Sequence, residues 1–394
     1  MIRPPAILQR FPRPILLLLA SIVWAASASA QPFVDFEVIG DEGLKDVPAL
    51  DGWMPPAGAN VGPDNNYAQA MVVKDMGGGK QCVFVGTNRS WQANSAAQLG
   101  FLNGQGFVYP DFSIPGPSND LRPLDDNAAW ADANRSAIFR GCGYAGGAVT
   151  WDEVYRSPIV QSVVVAQQGS PPSVGIGDVP AFNSFRAGIE YKGWIVMGGG
   201  VGYAPGYTLV GSPTGEPGSW VHIETPNGVP SDTRALTKFK NRFCFGGGLD
   251  LTNPPLGNPG SNHIYCTKYL SANPNWTRVT PASGGPTAPG EGNVLLGAIT
   301  EAGGKMFAGF ANREGFQVWT FLPNFWNPYQ GIWWKQVDKG AGEMANVLPG
   351  GFTKGLGDHV YMTTLNFPLG LADGSLFNCF FNPQNDPIQC LAGA

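Results

Sequence analysis

Short apolar runs closed by glycine recur along the chain. They read QCVFVG at 81–86, SAIFRG at 136–141, WIVMGG at 194–199, RFCFGG at 242–247, KMFAGF at 305–310 and HVYMTT at 359–364. Each follows a small or polar turn, and most break at Gly. Their starts lie roughly 50–60 residues apart, a spacing that points to propeller blades or a related repeat. Around the runs a fuller grammar is legible. From Asp178 to Pro226 the order is FRAGIEY, WIVMGG, YTLVGS and WVHIETP. The next unit reads RALTKF, RFCFGG, HIYCTKYL and WTRVTP, and a later one LLGAIT, KMFAGF, FQVWTFL and IWWKQVD. Alternation in VHIE and WKQVD fits strands with one buried and one wet face.

The first strand of each unit carries small residues (Ala187, Gly188, Gly297, Ala298, Gly350, Gly351), as strands crowding a central axis require. No window after residue 31 shows a capped helical stripe. The expected fold class is therefore all-β, a β-propeller of six blades, or seven if residues 100–125 hide a further repeat. FVDFEVIG at 33–40 resembles an outer strand, and pairing it with the C-terminal blade would remove an exposed sheet edge. A pair of β-sandwiches or a β-helix is the competing all-β arrangement.

Composition removes other options. Gly (55) and Pro (35) are abundant, yet 43% of residues are hydrophobic and 12% aromatic, which supplies a core and argues against disorder. Arg3, Arg10 and Arg13, the apolar stretch Ile15–Ala26 and Ala28-Ser29-Ala30 form a signal-peptide pattern over residues 1–30. The expected organisation is that leader, a lead-in over 31–60 and a single propeller domain over 61–394, secreted or periplasmic. Losing three arginines takes the net charge from −5 to −8. Such a chain lacks the electrostatic footprint of a nucleic-acid binder, and no run of Lys/Arg marks an anionic membrane surface. No later apolar stretch is long enough to insert in a membrane. Six cysteines suit an exported disulfide-stabilised fold. Proximity pairs Cys244 with Cys266 and Cys379 with Cys390. Cys82 and Cys142 are left, either bonded so as to tie one repeat to the next or buried as free thiols.

Candidate chemistry is sparse. Gly77-Gly78-Gly79-Lys80 lacks the spacing of a phosphate-binding loop. The three histidines (His222, His263, His359) fall in different repeats, so no metal centre and no cofactor is expected. Carboxylates cluster where an outer strand hands over to the next inner one: Asp64, Asp125, Asp126, Asp178, Asp232, Glu291 and Glu343, with Asn293 and Asn346 nearby. Loops after the second strands would bring Asn88, Arg89, Tyr203, Asp250, Asn312 and Arg313 to the same channel mouth, and Arg234 beside them. Amides and acids suit sugar hydroxyls, aromatic rings suit C–H faces, and arginines suit a carboxylate. Asp126, Asp232 and Glu343 are the candidate acid, base or nucleophile for a glycosidic bond. The same Asp and Asn residues also make turns.

SPTGEPGSWVHIETP (212–226) and SANPNWTRVTP (271–281) resemble the secreted sialidase-type propellers with Asp-box turns. Ser212, Gly218 and Trp220 approximate the box, with Thr214 where Asp is expected. The resemblance implies a propeller with an arginine triad, an acid/base Asp and a Tyr–Glu nucleophile pair. No motif-matched positions for that set exist in this chain. Two functions follow as expectations: a carbohydrate-active protein working at the channel mouth, with glycoside hydrolysis as its reaction, or a non-catalytic extracellular propeller binding glycan or protein. A redox propeller would need cofactor contacts that the sequence does not display.

Overall fold

The computed structural model describes residues 67–88, 131, 135–143, 150–166, 173–182, 184–200, 206–226, 233–247, 263–281, 289, 293–312, 315–338, 340, 346–355 and 359–366. The chain divides into two units, Met1–Asp41 and Glu42–Ala394, and every described residue belongs to the second. The expected leader, the 33–40 strand and the Cys379–Cys390 pair lie outside the described residues.

All regular elements described are β-strands. The first sheet is β1 (Tyr67–Asp75), β2 (Gln81–Asn88), β3 (Ala137–Cys142) and β4 (Thr150–Arg156). A hairpin follows, β5 (Ile159–Ala166) and β6 (Ser173–Pro180). The second sheet is β7 (Ser184–Tyr191), β8 (Trp194–Gly200), β9 (Leu209–Ser212) and β10 (Val221–Ile223). The third is β11 (Ala235–Phe239), β12 (Arg242–Gly246), β13 (Ile264–Thr267) and β14 (Thr277–Arg278). The fourth is β15 (Asn293–Ala302), β16 (Lys305–Asn312), β17 (Gln317–Pro323) and β18 (Gly331–Val337), and β19 (Asn346–Lys354) with β20 (Val360–Asn366) begins a fifth. Within each sheet, strands pair antiparallel in chain order.

Consecutive sheets are propeller-type blades because their first strands pack side by side: β1 on β7, β7 on β11, β11 on β15 and β15 on β19. Three of the sequence-read units match the structure strand for strand. One element differs. SAIFRG is β3, the third strand of the sheet in which QCVFVG is the second, so the six apolar runs occupy five sheets among the described residues. Insertion of residues 89–136 between two neighbouring strands imitates a repeat spacing. The Cys82–Cys142 disulfide accordingly lies within one sheet, between directly opposed residues of β2 and β3, and does not tie one repeat to the next. Cys244–Cys266 joins β12 to β13 in the same way. Closing loops of 60 and 22 residues, the two bonds stabilise by about 3–4 kcal/mol each in the chain-entropy account.

One contact repeats at the four junctions between consecutive described blades. The glycine that ends a second-strand run faces an alanine on its own inner strand: Gly86 opposite Ala70, Gly198 opposite Ala187, Gly246 opposite Ala235, Gly309 opposite Ala298. The notch this leaves receives a side chain from the next blade. A Cβ on Gly86 would lie 2.5 Å from Phe185 Cβ, one on Gly198 2.7 Å from Thr233 Cγ2, and one on Gly309 3.0 Å from Pro349 Cβ. On Gly246 it would overlap Leu296. Phe185, Thr233, Leu296 and Pro349 each stand two residues before the small residue of their own inner strand. The glycines are required for close approach between blades, and below them the aliphatic and aromatic cores of neighbouring blades merge.

Between blades one and two, the Asp-box-like turn performs a related task. Ser212 Oγ accepts the N–H groups of Thr214 (3.2 Å) and Gly215 (2.6 Å), closing the turn. Trp220 is thereby buried against Phe84 and Tyr155. Arg140 of β3 reaches Glu216 of the turn at 2.7 Å.

Gly86→Ala should lower stability by roughly 1–3 kcal/mol, because Phe185 Cβ cannot retreat without its backbone. Gly351→Ala, where the nearest atom would be Thr363 Oγ1 at 3.8 Å, should be close to neutral. Thermal unfolding of the two variants checks this; equal losses would refute the notch.

Candidate active site

Antiparallel order fixes two ends of the array. Inner strands start, and second strands end, at one end, called here the mouth. The turns joining first to second strands and third to fourth strands lie at the other.

At the mouth, the inner strands carry β-bulges. Register skips one residue at Gln69 in β1, Arg186 in β7, Gly297 in β15 and Gly350 in β19, each immediately before the small residue of the notch layer. In β11 the residue at the corresponding place, before Ala235, is Arg234. Bulges re-aim side chains and are enriched at functional sites. Two adjacent inner strands thus place an arginine at equivalent positions. Arg186 is 8% exposed. Arg234 has a buried Nε with no hydrogen-bond partner.

Several polar side chains near this end are already occupied. Asn293, fully buried, donates from Nδ2 to Gln317 Oε1 (3.3 Å), which also accepts from Trp319 Nε1 (3.0 Å). Gln317 Nε2 donates to Asp338, which pairs with Lys335. Thr233 donates to the Gly246 carbonyl, and its N–H binds the Gly199 carbonyl, fixing the backbone just before Arg234. His263, 5% exposed, lies 2.8 Å from Thr280 Oγ1 through Nδ1. Burial, with Arg278 nearby, pushes its pKa down to about 4, so the ring is neutral at physiological pH. Tyr207 stacks on His222 at 4.4 Å, and burial lowers the His222 pKa against the opposing pull of the Gly206 carbonyl and Glu224.

The β5–β6 hairpin leaves blade one at the mouth. Its base is clamped by Ser157 Oγ, which accepts Phe182 N–H (2.7 Å), and by Ala181 N–H to the Pro158 carbonyl. Asp178 lies in β6, bonded by the Gln161 amide across the hairpin, and is therefore a strand residue rather than part of a converging loop.

Of the sequence-derived candidates, Asn88 ends β2 and pairs with Ser184, a bridge that joins blades one and two at the mouth. Asn312 ends β16 opposite Asn293. Both therefore end second strands at the mouth, and Arg234 stands at the inner-strand entry. Asp126, Asp232, Glu343, Arg89, Tyr203, Asp250 and Arg313 lie outside the described residues. Arg186 escaped the sequence reading, since F-R-A-G is read as one more small-residue inner strand. The available signal was its alignment with Arg234, each preceding an alanine opposite a glycine. Among the described residues no group of three or more His, Cys, Asp or Glu could hold a metal ion.

No protein family matches the chain, and no curated protein sequence matches it. Solved structures with some likeness include an oxidoreductase described as a glucose dehydrogenase from Thermus thermophilus (12% identity, 58% of this chain and 87% of that one, TM-score 0.29). A β-xylosidase/α-arabinofuranosidase of glycoside hydrolase family 43 from a compost metagenome shares 9% identity over 75% of this chain and 84% of that one, TM-score 0.33. An α-L-arabinofuranosidase from Fusarium graminearum shares 11% over 69% and 82%, TM-score 0.26. Likenesses this distant assign no activity to the chain.

His263 gives a pH test. Its folded pKa is depressed below the unfolded value near 6.5, so the unfolded chain binds the extra proton first, and stability falls as pH drops from about 6.5 to about 4. His263→Gln should lose less stability than the parent across that window in denaturant titrations. Parallel losses would show that His263 does not titrate as a buried neutral ring.

Proposed function

We propose that the protein binds an acidic carbohydrate at the mouth of the blade array. The observation that carries this reading is the arginine pair at equivalent inner-strand positions. Arg186 is buried, and Arg234 holds a buried, unpartnered Nε. A buried guanidinium N–H left without an acceptor, as at Arg234 Nε, costs stability that a bound anion would offset. A planar carboxylate or a sulfate takes the bidentate geometry that guanidinium offers. The entropy-poor, rigid inner strands keep the two groups positioned for it. Asn88, Arg89, Tyr203, Asp250, Asn312 and Arg313 complete the sugar contacts in this proposal. Asp126, Asp232 and Glu343 supply acid, base or nucleophile for hydrolysis of the glycosidic bond. A non-catalytic glycan- or protein-binding propeller is the second reading, and it retains the arginines but not the acids.

The finer architecture belongs with this proposal. We read the array as closing into a ring of five blades, with β19–β20 against β1. At that junction the sizes of the notch residues are exchanged: Thr363 stands where other blades have glycine, and Ala68 where others have Phe185, Thr233, Leu296 or Pro349. Met71 and Val73 of β1 and Tyr361 of β20 are 58%, 55% and 62% exposed, apolar faces that such closure would cover. The formed disulfides suit an oxidising compartment, in keeping with export. No helix among the described residues is long and apolar enough to cross a membrane.

Titration against uronate-containing, sulfated and neutral oligosaccharides tests the site. Acidic sugars should bind, and Arg234→Gln and Arg186→Gln should each weaken them by about tenfold or more, the worth of a charge-assisted hydrogen bond. Preference for neutral sugars, or indifference to both substitutions, contradicts the reading. If products are released, Asp232→Asn and Glu343→Gln should abolish turnover and leave binding in place. Unchanged turnover removes those two residues from the mechanism.

A further inference from the structure

The end opposite the mouth has its own chemistry. Every inner hairpin displays an exposed lysine at its turn: Lys80, Lys192, Lys240, Lys305 and Lys354, one from each of the five sheets. These turns are neighbours in space. Lys74, beside the first turn, donates to the Gly193 and Pro213 carbonyls of blade two. Tyr191 of blade two donates to the Asn241 carbonyl of blade three.

The carboxylates of the same turns are held by the turns themselves. Asp75 accepts the Gly77 N–H (2.8 Å), Glu190 the Gly193 N–H (2.7 Å) and Glu301 the Gly304 N–H (2.8 Å). Glu190 also binds Lys238 at 2.8 Å. Burial pushes its carboxyl up, but these hydrogen bonds and the nearby Lys74 outweigh that and hold it ionised at lower pH than usual. These acids cap their own turns, Asp75 from an exposed position, while the five turn lysines are exposed, Lys192 also donating to the Lys268 carbonyl (3.1 Å). Among the described residues the inner turns carry six lysines (Lys74, Lys80, Lys192, Lys240, Lys305 and Lys354) against three carboxylates (Asp75, Glu190 and Glu301). That is a local excess of positive charge in a chain of net charge −5. Asp152 of β4 and Glu216 of the β9–β10 turn are paired with Arg140. The excess is invisible in the linear sequence because each repeat contributes one turn lysine.

On the same end, the turn between β17 and β18 presents Phe325 and Trp326, each 87% exposed. The turn is fixed rather than loose. Asn324 Oδ1 accepts the Trp326 N–H (3.1 Å), Asn327 Oδ1 accepts the Tyr329 N–H (3.0 Å), and Asn324 N–H closes onto the Gln330 carbonyl (2.6 Å). The two rings stand perpendicular, at 90° and 4.9 Å between centroids. The two exposed perpendicular rings form an apolar wedge. Leu322 and Ile332 continue the apolar surface at 44% and 68% exposure.

We propose that this hairpin end docks on an anionic lipid bilayer, with the lysines against the headgroups and Phe325 and Trp326 at the interface. Tryptophan and phenylalanine favour that depth, and a lysine near an anionic surface contributes attraction that salt screens. The contact is peripheral and needs no membrane-spanning segment. It leaves the mouth facing away from the lipid.

Flotation of the full chain with vesicles of phosphatidylglycerol in phosphatidylcholine, and with phosphatidylcholine alone, tests the proposal. Binding is expected to the anionic vesicles only and to be lost in high salt. Phe325→Ser with Trp326→Ser, and separately Lys305→Glu with Lys354→Glu, should each weaken it by about tenfold or more. These side chains are exposed, so unfolding should not intervene, and unchanged thermal unfolding and mouth-ligand binding verify it. Failure to float, or flotation unaffected by both pairs, overturns the proposal. Binding to soluble dextran sulfate that needs the lysines but not Phe325 and Trp326, with no flotation, identifies an anionic polymer as partner and also overturns it.

Discussion

The glycine notches at the blade junctions are the constraint on which the remaining arrangement depends. A four-stranded meander can pack against its neighbour at many offsets. Here the absence of a Cβ at Gly86, Gly198, Gly246 and Gly309 leaves one recess per blade, and one residue of the next inner strand fills it. Shifting that strand by a residue would turn the filling side chain to the opposite face. The notch therefore fixes how far along the axis each blade sits, and with it the layer of bulges one residue above. Arg186 occupies such a bulge and Arg234 the matching position in the next blade, so the proposed anion site inherits its geometry from interblade packing.

A consequence is that the two ends of the array are chemically different for structural reasons. At the mouth, strands begin after long connections and bulges turn side chains away from the sheet. At the hairpin end the turns are short and repetitive. Left-handed positions are taken by residues such as Lys192, Lys240 and Asn241, with glycine beside them in the second blade. One cation per turn then repeats around the array, and carboxylates serve as caps. The same repeat that builds the core thus gathers lysines at the hairpin end without any charged run in the sequence.

Much of the blade order was legible because glycine does two things at once here: it ends each apolar run and makes the notch. The strands of the units beginning at FRAGIEY, RALTKF and LLGAIT follow from that signal. SAIFRG misled because it has the same form, an apolar run ended by Gly141, and because residues 89–136 separate it from QCVFVG by one repeat length. Only the opposition of Cys82 and Cys142 across β2 and β3 reveals them as neighbours. The β5–β6 hairpin was illegible for a different reason: IVQSVVVA and SVGIGDVP carry strand propensity but no place in the blade grammar. Arg186 was missed because a bulge is a matter of register, which depends on the partner strand, whereas Arg234 stood out in front of a recognisable run. Ser212 and Trp220, read from the sequence as part of an Asp-box-like segment, stand in a turn between the third and fourth strands of their sheet, closed by Ser212 Oγ, with the indole buried.

The most direct measurement of the interblade interlock is a double-mutant cycle on Gly246 and Leu296. Gly246→Ala forces a methyl into Leu296, and Leu296→Ala empties that space at the expense of a cavity. If the notch positions the blades, the two substitutions compensate, and the double variant is more stable than the sum predicts by at least about 1 kcal/mol. Strict additivity in denaturant unfolding would mean that the two residues do not meet and that something else sets the blade arrangement.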